Sequence, residues 1–153
     1  MIDIVVEDEG WADALPEAEV LAEECCKAAQ RVEPALEREI ALLLCDDATI
    51  AALNRQFRQK SEPTNVLSFP SGETEGFLGD IALARETCLA EAADKSIPLR
   101  DHAAHLIIHG MLHLIGYDHR DDDEASVMER RETEILAVMG VNDPYLADDQ
   151  SGE

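Results

Sequence analysis

His109 to His119 reads HGMLHLIGYDH. His109 and His113 are four residues apart, and side chains at that spacing share one face of a helix. Gly116 stands where such a helix would end in a left-handed residue, which glycine adopts without a Cβ penalty. The chain can then turn and bring His119 to the third position. Three neutral imidazoles suit zinc, and three protein ligands leave a fourth position open, as at catalytic rather than structural zinc. A competing reading makes the histidines satisfied residues of a buried helix. It needs the spacing, the glycine and the helix break to coincide by accident. Met111, Leu112, Leu114 and Ile115 interleave with the histidines and read as core side chains. The helix that carries the motif is therefore expected to be buried, with the rest of the chain packed around it.

Working outward, Pro98 opens this helix, which runs to Ile115. The acidic run Asp121 to Glu124 suits the positive end of a following helix, which should end at Gly140. Upstream, Ile2–Val6 (IDIVV), Glu39–Cys45 (EIALLLC), Asn65–Phe69 (NVLSF) and Leu78–Leu83 read as strands. Helices are predicted from Pro16 to about Val32, from Ala48 to about Arg58 with Asp47 as cap, and from about Arg85 to Ala93. The order does not alternate strictly. It predicts a small α+β domain, with about four strands in a mixed sheet, about five helices, and the metal motif at the end of a buried helix. Residues 1–140 form the expected domain. Residues 141–153 form an acidic, polar tail expected to be mobile.

Composition narrows the function. The chain is 46% hydrophobic and 30% charged, as a globular domain is. No window reads as a transmembrane helix, and MIDIVVEDEG lacks a basic start and an apolar signal core. The expected compartment is the cytoplasm. Cys25, Cys26, Cys45 and Cys88 form no CxxC pair and read as free thiols. Twelve Lys and Arg against 34 Asp and Glu give a net charge of −22. Such a surface repels nucleic acid unless cations gather locally.

They gather in one place. Arg55, Arg58 and Lys60 fall within LNRQFRQKSEPTNVLSFP, Leu53 to Pro70. The planar guanidinium fork suits phosphate, and Thr64, Asn65 and Ser68 offer neutral hydrogen bonds. A solvated helix end would carry cations too, so spacing alone leaves both readings open. Around the motif itself, His102 and His105 share the stripe of His109 and His113. They either extend a polar network behind the metal or, more commonly, are packing residues. Asp118 either orients an imidazole or caps a turn. The spacing HxxxHxxGxxH also matches the metzincin peptidases, where a glutamate follows the first histidine as general base. Here that position is Gly110, which does no proton chemistry.

Three segments together resemble the bacterial YbeY family of metal-dependent single-strand endoribonucleases. They are HGMLHLIGYDH (109–119), Asn54 with FRQKSEPTNVLSFP (57–70), and LGDIAL (78–83). The resemblance spans nearly the whole domain. It implies a metal, expected to be one zinc ion, at His109, His113 and His119, and a functional Arg58. It also implies a four-stranded α+β fold and a role in 16S ribosomal RNA 3′ end maturation and ribosome quality control. The expected partners are single-stranded ribosomal RNA and the ribosome or small-subunit proteins, with neither DNA nor membrane. In this reading Arg58 neutralises charge developing on phosphoryl oxygens. Histidine ligates when neutral, so metal binding should weaken as pH falls below about 6.5. Two rivals stand beside it: a zinc peptidase, and a non-enzymatic assembly factor with structural zinc.

Overall fold

The computed structural model describes residues 2–58 and 64–145. Four strands form one sheet: β1 (Ile2–Val6), β2 (Glu39–Cys45), β3 (Val66–Pro70) and β4 (Phe77–Ala84), in the order β1-β2-β4-β3. β1 pairs parallel to β2 and β2 parallel to β4, while β3 runs antiparallel to β4 at the edge. The sheet is mixed, as the element order predicted. The helices are α1 (Gly10–Ala14), α2 (Ala18–Val32), α3 (Asp47–Arg58), α4 (Arg85–Lys95), α5 (Leu99–Leu114) and α6 (Asp122–Val138). A short 3-10 turn spans Pro34–Leu36.

Alternation along the strands divides the apolar residues between two faces. Ile40, Leu42 and Leu44 of β2, with Ile81 and Leu83 of β4, join the main core. There they meet Leu21 and Cys25 of α2, Ile107, Ile108 and Met111 of α5, and Ile135 and Leu136 of α6. Cys45, Leu67, Ala82 and Ala84 belong to a smaller cluster, closed by Ile50 of α3. Each fully buried aliphatic side chain contributes about 1.5–3 kcal/mol. α5 is buried on most of its circumference, from Ala103 through Leu114. It reads as apolar nearly all round because the sheet and neighbouring helices surround it.

Several local expectations shift. α1 has only five residues, too few to show a helical period. It places Trp11 in the core, where the indole Nε1–H donates to the Cys45 carbonyl at 2.8 Å. α2 begins at Ala18 rather than Pro16. The cap of α3 is Asp46, whose Oδ1 accepts from Thr49 N at 2.8 Å. The expected cap, Asp47, instead accepts from Thr87 N at 3.1 Å and Thr87 Oγ1 at 2.8 Å, fastening α3 to α4. At α6 the acidic start behaves as predicted, with Asp121 Oδ1 accepting from Glu124 N at 2.8 Å. All four cysteines are free and buried. Among the described residues no helix is long and apolar enough to cross a membrane.

The segment after α6 does not leave the surface at once. Val141 packs against the main core and donates its N–H to Leu136 O at 2.9 Å. Asp143 Oδ1 accepts from Tyr145 N at 2.8 Å and from Thr133 Oγ1 at 3.3 Å. Of the tail expected to be mobile, residues 141–145 are thus docked, and residues 146–153 lie outside the described residues.

Candidate metal centre

α5 delivers His109 and His113 on one face, and the turn after it delivers His119. Gly116 has φ +104, the left-handed conformation predicted for it. Tyr117 N donates back to Leu112 O at 3.0 Å, closing the helix end. The Tyr117 hydroxyl donates to Glu33 and accepts from Arg131 Nε at 3.1 Å, and Arg131 Nε also pairs with Glu33 Oε2 at 2.9 Å. This anchor ties the turn to α2 and α6. It lets His119 fold back: its ring centroid lies 5.4 Å from that of His109 and 5.0 Å from that of His113.

One donor atom from each histidine lies within 4.8 Å of the other two. The nitrogens left over are specified by what the others bind. His109 Nδ1–H donates to Glu132 Oε2 at 2.7 Å, and His113 Nδ1–H donates to the Tyr117 carbonyl at 2.9 Å. Both Nε2 atoms then carry lone pairs, and they face each other at 3.0 Å. Two lone pairs at that distance repel unless a cation lies between them. Ligand nitrogens on tetrahedral zinc stand about 3.3 Å apart. The donor set therefore fits a metal that accepts imidazole. Burial and the neighbouring His109 and His119 push the His113 pKa down, favouring the neutral, ligating form.

Behind the three imidazoles lies a residue that the sequence reading passed over. Glu132 of α6 is 1% exposed, and its Oε1 accepts from His105 Nε2–H at 2.7 Å. Burial alone would raise its pKa, but hydrogen bonds from His105 and His109 hold it down to about 2. It is an ionised carboxylate inside the core. The signal was present in the sequence: Met128, Glu132 and Ile135 form one buried stripe of α6, and an acid on an apolar stripe requires partners. His105 does extend the polar network. His102 does not: its Nε2 meets Glu91 Oε1 at 2.8 Å on α4. Asp118 caps the turn, accepting from His119 N at 2.8 Å.

Gly110 is shaped by the sheet. A Cβ there would meet Ile81 Cγ2 at 3.0 Å and Ser68 Oγ at 3.1 Å. Ser68 Oγ in turn donates to the Gly110 carbonyl at 3.1 Å, joining β3 to α5. The position that bears the peptidase glutamate thus faces β3 and β4, where a long carboxylate has no room. In the cationic segment, Arg55 is exposed on α3 and Arg58 ends that helix. The Arg58 side chain and Lys60 lie outside the described residues. Asn65 turns away to Glu91, donating from Nδ2 at 3.0 Å.

Comparison with known proteins fits this geometry. Residues 6–140 match the family profile described as Endoribonuclease YbeY. The chain belongs to the endoribonuclease YbeY family. A relative from Rhizorhabdus wittichii with that family name is 47% identical, over 95% of this chain and 97% of its own. One from Azorhizobium caulinodans is 48% identical, over 94% and 95%. The solution structure of a Thermotoga maritima protein matches the fold seen here at a TM-score of 0.60. It is 25% identical in sequence, and the match covers 95% of both chains.

Proposed function

We propose that this chain is a zinc-dependent endoribonuclease that cuts single-stranded RNA, acting in 16S ribosomal RNA 3′ end maturation and ribosome quality control in the cytoplasm. The observation that carries the reading is the pair of Nε2 lone pairs facing each other at 3.0 Å, with His119 beside them. His109, His113 and His119 would hold the ion. Bound there, zinc supplies a Lewis acid that polarises a phosphoryl oxygen. The protein's share of the chemistry is positioning and charge. The Tyr117 carbonyl and the Glu132 carboxylate hold two imidazoles in the ligating tautomer. Arg58, at the end of α3, neutralises charge that develops on the phosphoryl oxygens. Arg55 and Lys60 add the local cations that so acidic a chain needs to approach a phosphate backbone. Contacts to the ribosome or to small-subunit proteins supply the remaining docking. Residues 1–140 make up the catalytic domain.

The rivals fit less well. A structural zinc takes four protein ligands, whereas three donors converge among the described residues. A peptidase would need a general base where Gly110 packs on the sheet.

The test is cleavage of a labelled single-stranded RNA by the zinc-loaded chain, with His113→Ala and Arg58→Ala prepared in parallel. His113→Ala should abolish cutting. Arg58→Ala should keep its zinc and lower the cleavage rate about 10²–10³-fold. Equal cutting by all three proteins would refute the assignment.

A further inference from the structure

A carboxylate buried to 1% exposure is an expensive choice at a position flanked by Met128 and Ile135. Apolar side chains of similar volume often serve stability as well as a buried charge does. Glu132 is surrounded by donors. Oε2 takes the His109 Nδ1–H at 2.7 Å, and Oε1 takes the His105 Nε2–H at 2.7 Å together with the Tyr145 hydroxyl. The His105 Nε2–H is shared with the Tyr145 oxygen at 3.2 Å. Burial and the adjoining carboxylate push the Tyr145 pKa up, so the phenol keeps the proton it donates.

Two of these donors fix one oxygen so that the other is placed for His109. Tyr145 reaches Glu132 because the segment after α6 folds back: Val141 is bonded to Leu136 O, and Asp143 holds Tyr145 N and Thr133 Oγ1. The two helix-borne imidazoles are thereby oriented by acceptors of different strength. His113 has a neutral carbonyl, and His109 an ionised carboxylate. A carboxylate on the far nitrogen fixes the ring and raises the basicity of the near one.

We propose that Glu132 is a positioning residue of the metal centre and Tyr145 its clamp, so that the segment Val141–Tyr145 sets how tightly the ion is held. This rests on the reading of His109, His113 and His119 as ligands.

The experiment measures zinc affinity of the full chain by competition with a chromophoric chelator, and the visible absorption of the cobalt-substituted protein. Circular dichroism of the metal-free protein monitors folding. Glu132→Gln keeps the shape and removes the charge, and should weaken zinc binding about 10–100-fold. Tyr145→Phe should weaken it several-fold and shift the cobalt spectrum. Glu91→Gln removes the carboxylate from the His102 pair on the same helix, and should leave both readouts unchanged. Zinc affinity in Glu132→Gln within twofold of wild type would overturn the proposal. Should Glu132→Gln fail to fold, an unchanged affinity and spectrum in Tyr145→Phe would overturn it. An equal loss in Glu91→Gln would also overturn it, since any buried imidazole–carboxylate pair would then do the same. His113→Ala separates the two levels. If it keeps zinc at wild-type affinity, the ligand assignment fails and the clamp falls with it. If it loses zinc while Glu132→Gln does not, only the clamp fails.

Discussion

His102 and His109 lie about two turns apart on α5, and each gives one ring nitrogen to a glutamate of a neighbouring helix. In His102 the glutamate takes Nε2, the tip of the ring. What is left is Nδ1, which is buried without a hydrogen-bond partner among the described residues, in a side chain 2% exposed. In His109 the glutamate takes Nδ1, close to the backbone, and the tip stays open in a side chain 20% exposed. Residue type, helix and partner chemistry are the same. The choice of nitrogen makes one a buried packing residue and the other a candidate ligand. For these two histidines the role is thus set by where the second nitrogen points, and an acid on another helix decides that.

The largest effect expected from this contrast is on metal retention. His113→Ala should weaken zinc binding by more than about 100-fold, beyond the loss usual for an outer partner, while His102→Ala should change it little. Chelator competition on both proteins checks this, and comparable losses would dissolve the distinction between the two ends of the helix. Next in size is the seam that fixes both ends against the sheet. Gly110→Ala pushes a methyl to within 3.0 Å of Ile81 Cγ2 and 3.1 Å of Ser68 Oγ. It should destabilise the fold by about 1–3 kcal/mol in urea unfolding. Wild-type stability in that variant would mean that β3 yields freely to α5.

The smallest effect is on acid sensitivity. Burial pushes the His102 pKa below 6.5, outweighing the pull of Glu91, with Lys95 and His105 adding in the same direction as burial. The unfolded chain then binds a proton at higher pH than the folded one. The stability tied to neutral His102 is complete above pH 6.5 and is lost as pH falls below it toward the depressed folded value. His102→Gln, which can still donate to Glu91, should flatten the stability–pH curve over that window in urea titrations. An unchanged slope would mean that His102 does not titrate there.

Much of this was legible beforehand, for definite reasons. The four strands could be read because β-branched and leucine runs lay between turn residues, and the pairing of His109 with His113 on one face of α5 because four-residue spacing has one meaning on a helix. The α+β class followed from element order. What escaped was decided by tertiary contact. Asp46 and Asp47 are equivalent caps on paper, and only the approach of Thr87 assigns Asp47 elsewhere. α1 is too short to show a period and depends on the burial of Trp11. The docking of Tyr145 could not be foreseen from a polar tail, because its partner is a buried acid contributed by α6.

The three imidazoles also differ in what carries them. His109 and His113 ride on a helix held by its own backbone ladder and a packed core, whereas His119 is exposed and sits beyond the Tyr117 anchor. In the proposed site an ion would thus have two supports set in the packed core and a third on a solvent-facing turn. Substitutions in the turn from Gly116 to His119 should then change the rate of ion exchange more than substitutions on the buried face of α5.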